Sequence, residues 1–367
     1  MNREKKIIRT SLIGVLGNLL LVAGKAIIGL FAHSISIITD AVNNLSDALS
    51  STITIIGTKL SGKKPDRKHP FGHGRIEYLT SLIIGILILV AGGLAIYESI
   101  MTLINKTVAE YDYVSIIIIS IAIVVKIGLG LYFRFVGKQT NSEPLKASGI
   151  DALFDALLSV ATIIGIITTM VWGVNIEGYI GILIGLFIIK SGIEIIHDGA
   201  SLIIGERTDQ GIINNLKQLV CSFPQVKGAY DLIVNNYGAA RSIASIHIEI
   251  DDNLTAREIH HLTREISEKV YLETGIILTI GIYAKNESNE ELKEIKGYVT
   301  DKIRSIEGIK QIHGFYVDDN RRLITFDLVF DFECKNPKEI IKNLQIELKD
   351  KYPTYNFYIV HDTDFSD

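Results

Sequence analysis

Long apolar runs that contain acidic residues are the feature that most limits what this chain can fold into. A helix that spans the apolar layer of a membrane needs about 20 mostly apolar residues. Six segments meet that requirement, near residues 7–31, 35–59, 78–100, 113–136, 146–171 and 175–197. After about residue 205, charged residues recur every few positions. The sequence therefore predicts an α-helical membrane domain of six transmembrane helices, followed by a soluble part.

The lysines and arginines beside the predicted spans indicate orientation, because basic loops stay on the cytoplasmic side. The N-terminal residues and the loops KLSGKKPDRKHPFGHGR and FRFVGKQTNSEPLK are basic, whereas the alternate loops contain one lysine between them. We expect a multi-pass protein in contact with lipid, with both termini cytoplasmic, in a bacterial cell membrane. The net charge of −4, without a basic stripe, argues against nucleic acid as a partner.

Polar side chains form one-sided edges on two of the predicted spans. The second span has Asp40, Asn43, Asn44 and Asp47 at positions i, i+3, i+4 and i+7, and the fifth has Asp151 and Asp155 at i and i+4. Acids at such depth are costly unless they face a polar pathway or pair with a cation. A divalent cation between the two edges would offset their charge. Lys25 and Lys126 are alternative partners for these acids.

Taken together, these motifs resemble the cation diffusion facilitator (cation efflux) family, and especially its manganese-exporting branch. The resemblance rests on SISIITDAVNNLSDALSS, HPFGHGRIE, DALFD and the trailing soluble part, from about residue 9 to 286. It implies a transport site made of Asn43, Asp47, Asp151 and Asp155. It further implies exchange of the metal for protons, a homodimer paired through its cytoplasmic domains, no prosthetic group and no enzymatic activity.

The donor atoms of the implied transport site predict which ion it prefers. Zinc-exporting members of the family place histidine at the first position of one or both ligand pairs, where this chain has Asn43 and Asp151. Carboxylate and amide oxygens suit Mn²⁺, Mg²⁺ or Ca²⁺ better than Zn²⁺, which favours nitrogen and sulfur. We expect Mn²⁺ to be transported, with Zn²⁺ and Fe²⁺ as alternatives. Asp40, one turn nearer the outer face, is either an exit relay or a helix-packing residue.

The loop after the second span contains three further donors, Asp66, His69 and His73. Their oxygen and nitrogen atoms within a few residues of each other suit a divalent cation. The family resemblance also implies a second metal site in this loop. The competing interpretation is that these are solvated residues of a basic, glycine-containing loop.

The soluble part contains a tandem repeat. A helix, strand, strand, helix, strand order is predicted for residues 206–287 and again for 291–367. Each copy is expected to form a cytoplasmic ferredoxin-like α/β module, the first serving dimerisation. The predicted domains are thus residues 1–205, 206–287 and 291–367.

The family's cytoplasmic metal positions are only partly kept. His247 and His260 match them, whereas Tyr230 and Gly281 stand where other members have histidine. The second module has its own donors, namely His313, Asp327, His361, Asp362 and Asp364. These residues either bind a regulatory metal ion or belong to a surface that packs or dimerises, and the sequence leaves both alternatives open.

Two other functions compete with transport. An intramembrane aspartyl protease needs two acids that face each other across helices, whereas Asp151 and Asp155 lie on one helix. A membrane-anchored metal sensor that transports nothing would suit the double cytoplasmic module. Metal flux in sealed vesicles separates the sensor from the transporter.

Overall fold

The computed structural model describes residues 3–31, 35–105, 113–172, 177–238, 241–286 and 290–363. The chain divides into two compact units. One consists of Met1–Glu206 with Tyr237–Arg241, and the other of Arg207–Asn236 with Ser242–Asp367.

Six long helices make up the first unit. They are α1 (Arg3–Phe31), α2 (Ile35–Ser61), α3 (Ile76–Asn105), α4 (Tyr113–Thr140), α5 (Glu143–Trp172) and α6 (Glu177–Ile204). Four of them, α1, α3, α4 and α6, contain stretches long and apolar enough to cross a membrane. The two helices that hold the aspartates, α2 and α5, do not meet that criterion within the described residues. Six membrane crossings therefore stay a prediction, and four are supported by length and composition.

The helices of this unit pack in pairs, α1 with α2, α3 with α6 and α4 with α5. Glycines allow the close approach of α3 and α6, since a Cβ atom added at Gly185 would lie only 3.2 Å from the carbonyl oxygen of Gly92. Large apolar side chains such as Leu20, Val124 and Leu183 remain exposed on the outside of the bundle. Exposed apolar surface of this extent is typical of helices that face lipid.

An ion pair between Arg3 and the buried Glu77 links the ends of three helices. Arg3, at the start of α1, donates to both carboxylate oxygens of Glu77 at 2.7 and 3.0 Å. The same guanidinium donates to the carbonyl oxygen of Thr140 at the end of α4, at 2.6 Å. Because Glu77 begins α3 and is buried, this one side chain fixes where α1, α3 and α4 meet.

The second unit repeats one order of elements twice. The first copy, here called the first module, consists of α7 (Gln210–Cys221), β1 (Gly228–Asn236), β2 (Ser242–Asp251), α8 (Ala256–Thr274) and β3 (Ile277–Lys285). The second module consists of α9 (Glu290–Arg304), β4 (Ile309–Asp318), β5 (Leu323–Phe330), α10 (Pro337–Lys351) and β6 (Asn356–Thr363). The predicted helix, strand, strand, helix, strand order is present in both copies.

Each module is a three-stranded mixed sheet with its helices packed against a buried apolar core. The strand orders are β1-β2-β3 and β4-β5-β6, with an antiparallel first pair and a parallel second pair. Alternation along β2 buries Ala244, Ile246 and Ile248 in the core of the first module. Phe326 of β5 is fully buried in the core of the second.

The first strand of each module contains an irregularity at the same place. The register of β1 shifts between Tyr230 and Ile233, and that of β4 between His313 and Tyr316. Within these stretches Asp231 has φ +54° and Gly314 has φ +64°. A bulge of this kind re-aims the neighbouring side chains.

Candidate functional site

Acidic residues of α2 and α5 lie on either side of one lysine of α4. Lys126 Nζ donates to Asp155 Oδ2 at 2.7 Å and also contacts Asp47 Oδ2. Only 4% of Lys126 is exposed. The helical spacing that predicts polar edges on α2 and α5 thus brings two of the predicted ligands to one point, and a tethered ammonium occupies the place between them.

A pocket beside this ion pair is lined by further polar groups. We call it the acidic pocket; its polar lining residues are Asn18, Asp47, Ser50, Ser51, Ser148 and Asp151. Asp151 and Asp47 therefore face the same pocket, as the predicted ligand set requires. Leu129 and Phe133 of α4 complete part of its wall. The pocket combines carboxylate, amide and hydroxyl oxygens, which are donors for hard divalent cations.

The structure describes one of the two amide side chains of α2. The side chains of Asn43 and Asp40 lie outside the part of the chain that the structure describes. Asn44 is buried, and its Nδ2 atom has no hydrogen-bond partner among the described residues. The choice of Asn43 as a ligand stays a prediction.

Asn18 of α1 is a polar residue that the sequence reasoning missed. It lines the acidic pocket, is 4% exposed, and its Oδ1 atom has no hydrogen-bond partner within the described ranges. An unpartnered buried amide oxygen is costly unless a ligand or water completes it. The sequence does indicate that Asn18 is unusual, since it is a lone amide inside the apolar run LIGVLGNLLLVAG.

The loop between α2 and α3 brings its three predicted donors together. Asp66 Oδ1 lies 3.3 Å from His69 Nδ1, and Asp66 Oδ2 lies 3.5 Å from His73 Nε2. One ligand atom from each residue fits within a 4.8 Å group that could hold a metal ion. The backbone N–H groups of His69 and Lys68 donate to Asp66 and lower the pKa of its carboxyl. An ionised carboxylate beside two imidazoles is a plausible cation ligand set.

The two histidines predicted as cytoplasmic ligands lie on different elements and are not brought together. His247 of β2 donates from Nδ1 to Asp231 Oδ2 at 2.8 Å. His260 is on α8, where its ring contacts that of His261. In the described ranges, the groups that could hold a metal include neither of them. Gly281, which pairs with His247 in the sheet, leaves room for the His247 ring.

A second cluster lies where the two modules meet, which we call the module junction. It consists of Asp231, His247, Tyr283, His313 and Asp362, with Asp327 beside it. In the sheets Tyr230 pairs with His247 and His313 with Asp327. The rings of Tyr230 and His313 stack across the junction, with centroids 5.1 Å apart. Asp231 and Tyr283 are the members that the sequence reasoning missed.

The charges of the module junction perturb one another. Burial raises the pKa of Asp231, but the hydrogen bonds from His247 and Tyr283 and the nearby imidazole of His313 outweigh it and lower that pKa overall. The bond to Asp231 raises the pKa of His247. Burial, followed by the neighbouring Asp231, raises the pKa of Asp362. Burial and hydrogen bonds to Asp231 and Asp327 raise the pKa of Tyr283.

Comparison with known proteins agrees with this arrangement. Residues 11–204 match the cation efflux transmembrane domain, and residues 208–281 match the cation efflux protein cytoplasmic domain. The chain belongs to the cation efflux family. It is therefore an integral membrane protein of a family of transporters for divalent metal cations, and the family resemblance predicted from its motifs is confirmed.

This chain aligns with several known proteins over most of their lengths. An uncharacterized transporter of Methanocaldococcus jannaschii is 30% identical over 267 residues, 72% of this chain and 92% of the relative. The manganese efflux system protein MneP of Bacillus subtilis is 25% identical, and the alignment covers 73% of this chain and 92% of MneP. The magnetosome protein MamB of Paramagnetospirillum magneticum is also 25% identical, and that alignment covers 68% of this chain and 84% of MamB. Residues after 281, including the second module, lie beyond both family domains.

Proposed function

We propose that this member of the cation efflux family exports Mn²⁺ from the cytoplasm in exchange for protons, with Zn²⁺ and Fe²⁺ as competing ions. The observation that supports this most is the meeting of Asp47 and Asp155 at a single buried cation, Lys126. Two acids from two helices that converge inside an apolar bundle are typical of an ion pathway. The similarity to a manganese efflux system protein supports the same ion.

The ligands proposed for the transported ion are Asn43, Asp47, Asp151 and Asp155. Asp47 and Asp151 line one pocket, and Asp155 lies one turn from Asp151 on α5. All four would supply oxygen, which favours Mn²⁺ over Zn²⁺ on grounds of ligand hardness. Asn18 would add a fifth oxygen from α1, because its Oδ1 atom is buried and unpartnered in the same pocket.

Lys126 gives this site a built-in counter-ion. In its absence, or when the ammonium moves aside, Asp47 and Asp155 would be ionised and uncompensated in an apolar setting, which is costly. A divalent cation or protons can take over the role of the ammonium. Metal and protons would therefore compete for the same carboxylates, and this competition is the basis of exchange. Asp40 is proposed either as an exit relay for those protons or as a helix-packing residue.

The remaining features of the proposed transporter rest on the sequence pattern and, for dimer formation, on the family resemblance. We propose six membrane crossings with cytoplasmic termini, a bacterial cell membrane, and homodimers formed through the cytoplasmic modules. The proposed domain limits are residues 1–205, 206–287 and 291–367. The loop cluster of Asp66, His69 and His73 is proposed as a second metal site.

Uptake of Mn²⁺ and Zn²⁺ into inverted membrane vesicles with an acidic interior tests the proposal. We expect Mn²⁺ uptake well above Zn²⁺ uptake for the wild type, and its loss in Asp151→Ala and Asp155→Asn. Asp198→Asn on α6 is a matched control, since its side chain is 72% exposed. Zinc uptake in place of manganese uptake would refute the selectivity argument, and flux of neither ion would favour the metal sensor.

A further inference from the structure

Three side chains from both cytoplasmic modules point at one spot in the module junction. Asp231 comes from β1 of the first module, and His313 and Asp362 come from β4 and β6 of the second. His313 Nε2 lies 2.9 Å from Asp231 Oδ1 and 3.3 Å from Asp362 Oδ2. One ligand atom from each residue fits within a group no wider than 4.8 Å.

These distances equal the spacing of ligand atoms around a small divalent ion. Transition-metal ions bind nitrogen and oxygen at about 2.0–2.2 Å. Adjacent ligand atoms then lie about 3.0 Å apart in octahedral geometry and about 3.4 Å apart in tetrahedral geometry, by the same bond lengths. The separations of 2.9 and 3.3 Å between His313 Nε2 and the two carboxylates fall at these values.

The central imidazole is buried without a well-aligned hydrogen bond to any described residue. The side chain of His313 is 0% exposed, and neither of its ring nitrogens has a well-aligned hydrogen-bond partner in the part of the chain that the structure describes, although three carboxylates lie within 3.9 Å of Nε2. A single N–H bond can point at only one of those oxygens. A buried imidazole without a well-aligned hydrogen bond costs free energy of folding. A bound cation would accept a lone pair from the ring and from each carboxylate at the same time.

Acceptors outnumber donors around the proposed ligands. Tyr283 Oη lies 2.7 Å from both Asp231 Oδ2 and Asp327 Oδ2, yet its single proton can serve one of them at a time. His247 Nδ1 lies 2.8 Å from the same Oδ2 atom of Asp231. These contacts hold Oδ2 and leave Oδ1 of Asp231 directed at His313. Outer hydrogen bonds of this kind orient the carboxylates that ligate metals.

A bulge in β1 carries Asp231 in a left-handed backbone conformation. Its φ of +54° lies in a region that aspartate tolerates better than most residues other than glycine. The other module has Gly314 at the equivalent position of its own bulge, with φ +64°. The first module thus places a carboxylate where its repeat has no side chain.

We propose that Asp231, His313 and Asp362 bind a first-row divalent transition metal ion that joins the second module to the first. The mixture of one imidazole and two carboxylates accommodates Zn²⁺, Mn²⁺ or Fe²⁺. Bound metal would add a bridge to the contacts already present between the modules, such as the paired hydrogen bonds of Asn286 with the backbone of Val317. This proposal does not depend on transport, because the ligands are separate from those of the acidic pocket.

The metal content of the purified full-length protein in detergent tests this site. The chain is stripped with chelator, equilibrated with Zn²⁺ or with Mn²⁺, freed of excess ion, and analysed by elemental mass spectrometry. We expect His313→Gln and Asp362→Asn each to hold one metal equivalent fewer per chain than the wild type. The controls His361→Gln and Asp301→Asn should hold the wild-type amount, because the His361 ring packs on Phe330 and Asp301 is exposed.

The outcomes separate the site from loss of folding and from the transport site. Asp155→Asn should still hold the metal ion that His313→Gln loses. Circular dichroism checks that each variant is folded. If His313→Gln does not fold, the less buried Asp362→Asn decides the question. Wild-type metal content in Asp362→Asn, or equal losses in the His361→Gln and Asp301→Asn controls, would overturn the proposal. Added Zn²⁺ should also raise the melting temperature of the wild type more than that of Asp362→Asn.

Discussion

Lys126 Nζ lies 2.7 Å from Asp155 Oδ2 and also contacts Asp47, so that one ammonium of α4 joins the acids of α2 and α5. A lysine in this place does two things at once. It offsets the charge of the acids when no metal is bound, and it competes with a metal for the same oxygens. The cost of removing it should therefore depend on whether metal is present.

Replacement of Lys126 by glutamine should tighten the binding of Mn²⁺. Without the ammonium, metal no longer has to displace a competing cation, and we expect the KM for Mn²⁺ uptake to fall several-fold at a fixed pH. The metal-free protein should at the same time be less stable, since a buried ion pair that loses one partner costs about 3–5 kcal/mol. Vesicle uptake measures the first effect, and thermal unfolding with chelator and with Mn²⁺ measures the second.

Lys190→Gln serves as the control for this variant, because Lys190 is on α6 with its side chain 71% exposed. It should leave both the KM and the melting temperature unchanged. A KM that stays constant or rises in Lys126→Gln would show that the lysine does not occupy the position of the metal.

Asn18→Ala should weaken the transport site without abolishing it. The variant removes an amide oxygen that lines the acidic pocket and has no protein partner. The loss of one neutral ligand corresponds to about 1 kcal/mol, which is a several-fold rise in the KM for Mn²⁺. Ser120→Ala, an exposed hydroxyl of α4 bonded to its own helix, is the control. An unchanged KM in Asn18→Ala would remove Asn18 from the proposed ligand set.

Arg3→Ala should destabilise the membrane unit. The guanidinium binds the buried carboxylate of Glu77 and the carbonyl oxygen of Thr140. Because hydrogen bonds to charged groups contribute about 1.5–3 kcal/mol, we expect a loss of that order and a lower melting temperature in detergent. The exposed Arg9 on the same helix provides the control variant Arg9→Ala. Equal melting temperatures for the two variants would contradict the role given to Arg3.

The sequence predicts those parts of the fold and the site in which the residues lie on one helix or strand, because the period of that element places them. The polar edges of α2 and α5 follow from the period of the helix, since Asp151 and Asp155 are one turn apart. The order of elements in the two modules likewise follows from alternating strands such as ASIHIEI.

Contacts between distant elements could not be predicted in the same way. The sequence shows that Lys126 is a charged residue within the apolar run of α4, but only packing shows that it faces both α2 and α5. Asp231 and His313 meet because the two modules pack together and because a bulge turns Asp231 toward the junction. Neither relationship leaves a periodic signal in the sequence.

The capping box that begins α8 should give the first module a stability that depends on pH. Glu258 accepts hydrogen bonds from the backbone N–H and the hydroxyl of Thr255, and these lower the pKa of its carboxyl. A lowered pKa means that the stabilisation is present above the ordinary value of 4.5 and is lost as the pH falls through the folded value. The difference in melting temperature between wild type and Glu258→Gln should therefore stay constant above about pH 5.5 and shrink as the pH falls below 4.5. Glu268→Gln, elsewhere on the exposed face of α8, should show no such trend.

The core of the second module offers a direct measure of how much its packing contributes to stability. Phe326 is 0% exposed and stacks near Phe315, whereas Phe332, six residues later, is 70% exposed. Removing the buried ring leaves a cavity, so we expect Phe326→Ala to cost about 3–5 kcal/mol, while Phe332→Ala should cost almost nothing. Limited proteolysis of the full-length protein should cut the second module faster in Phe326→Ala only. Equal cutting rates in both variants would mean that this module is not held by the core described here, and that its fold depends instead on the module junction.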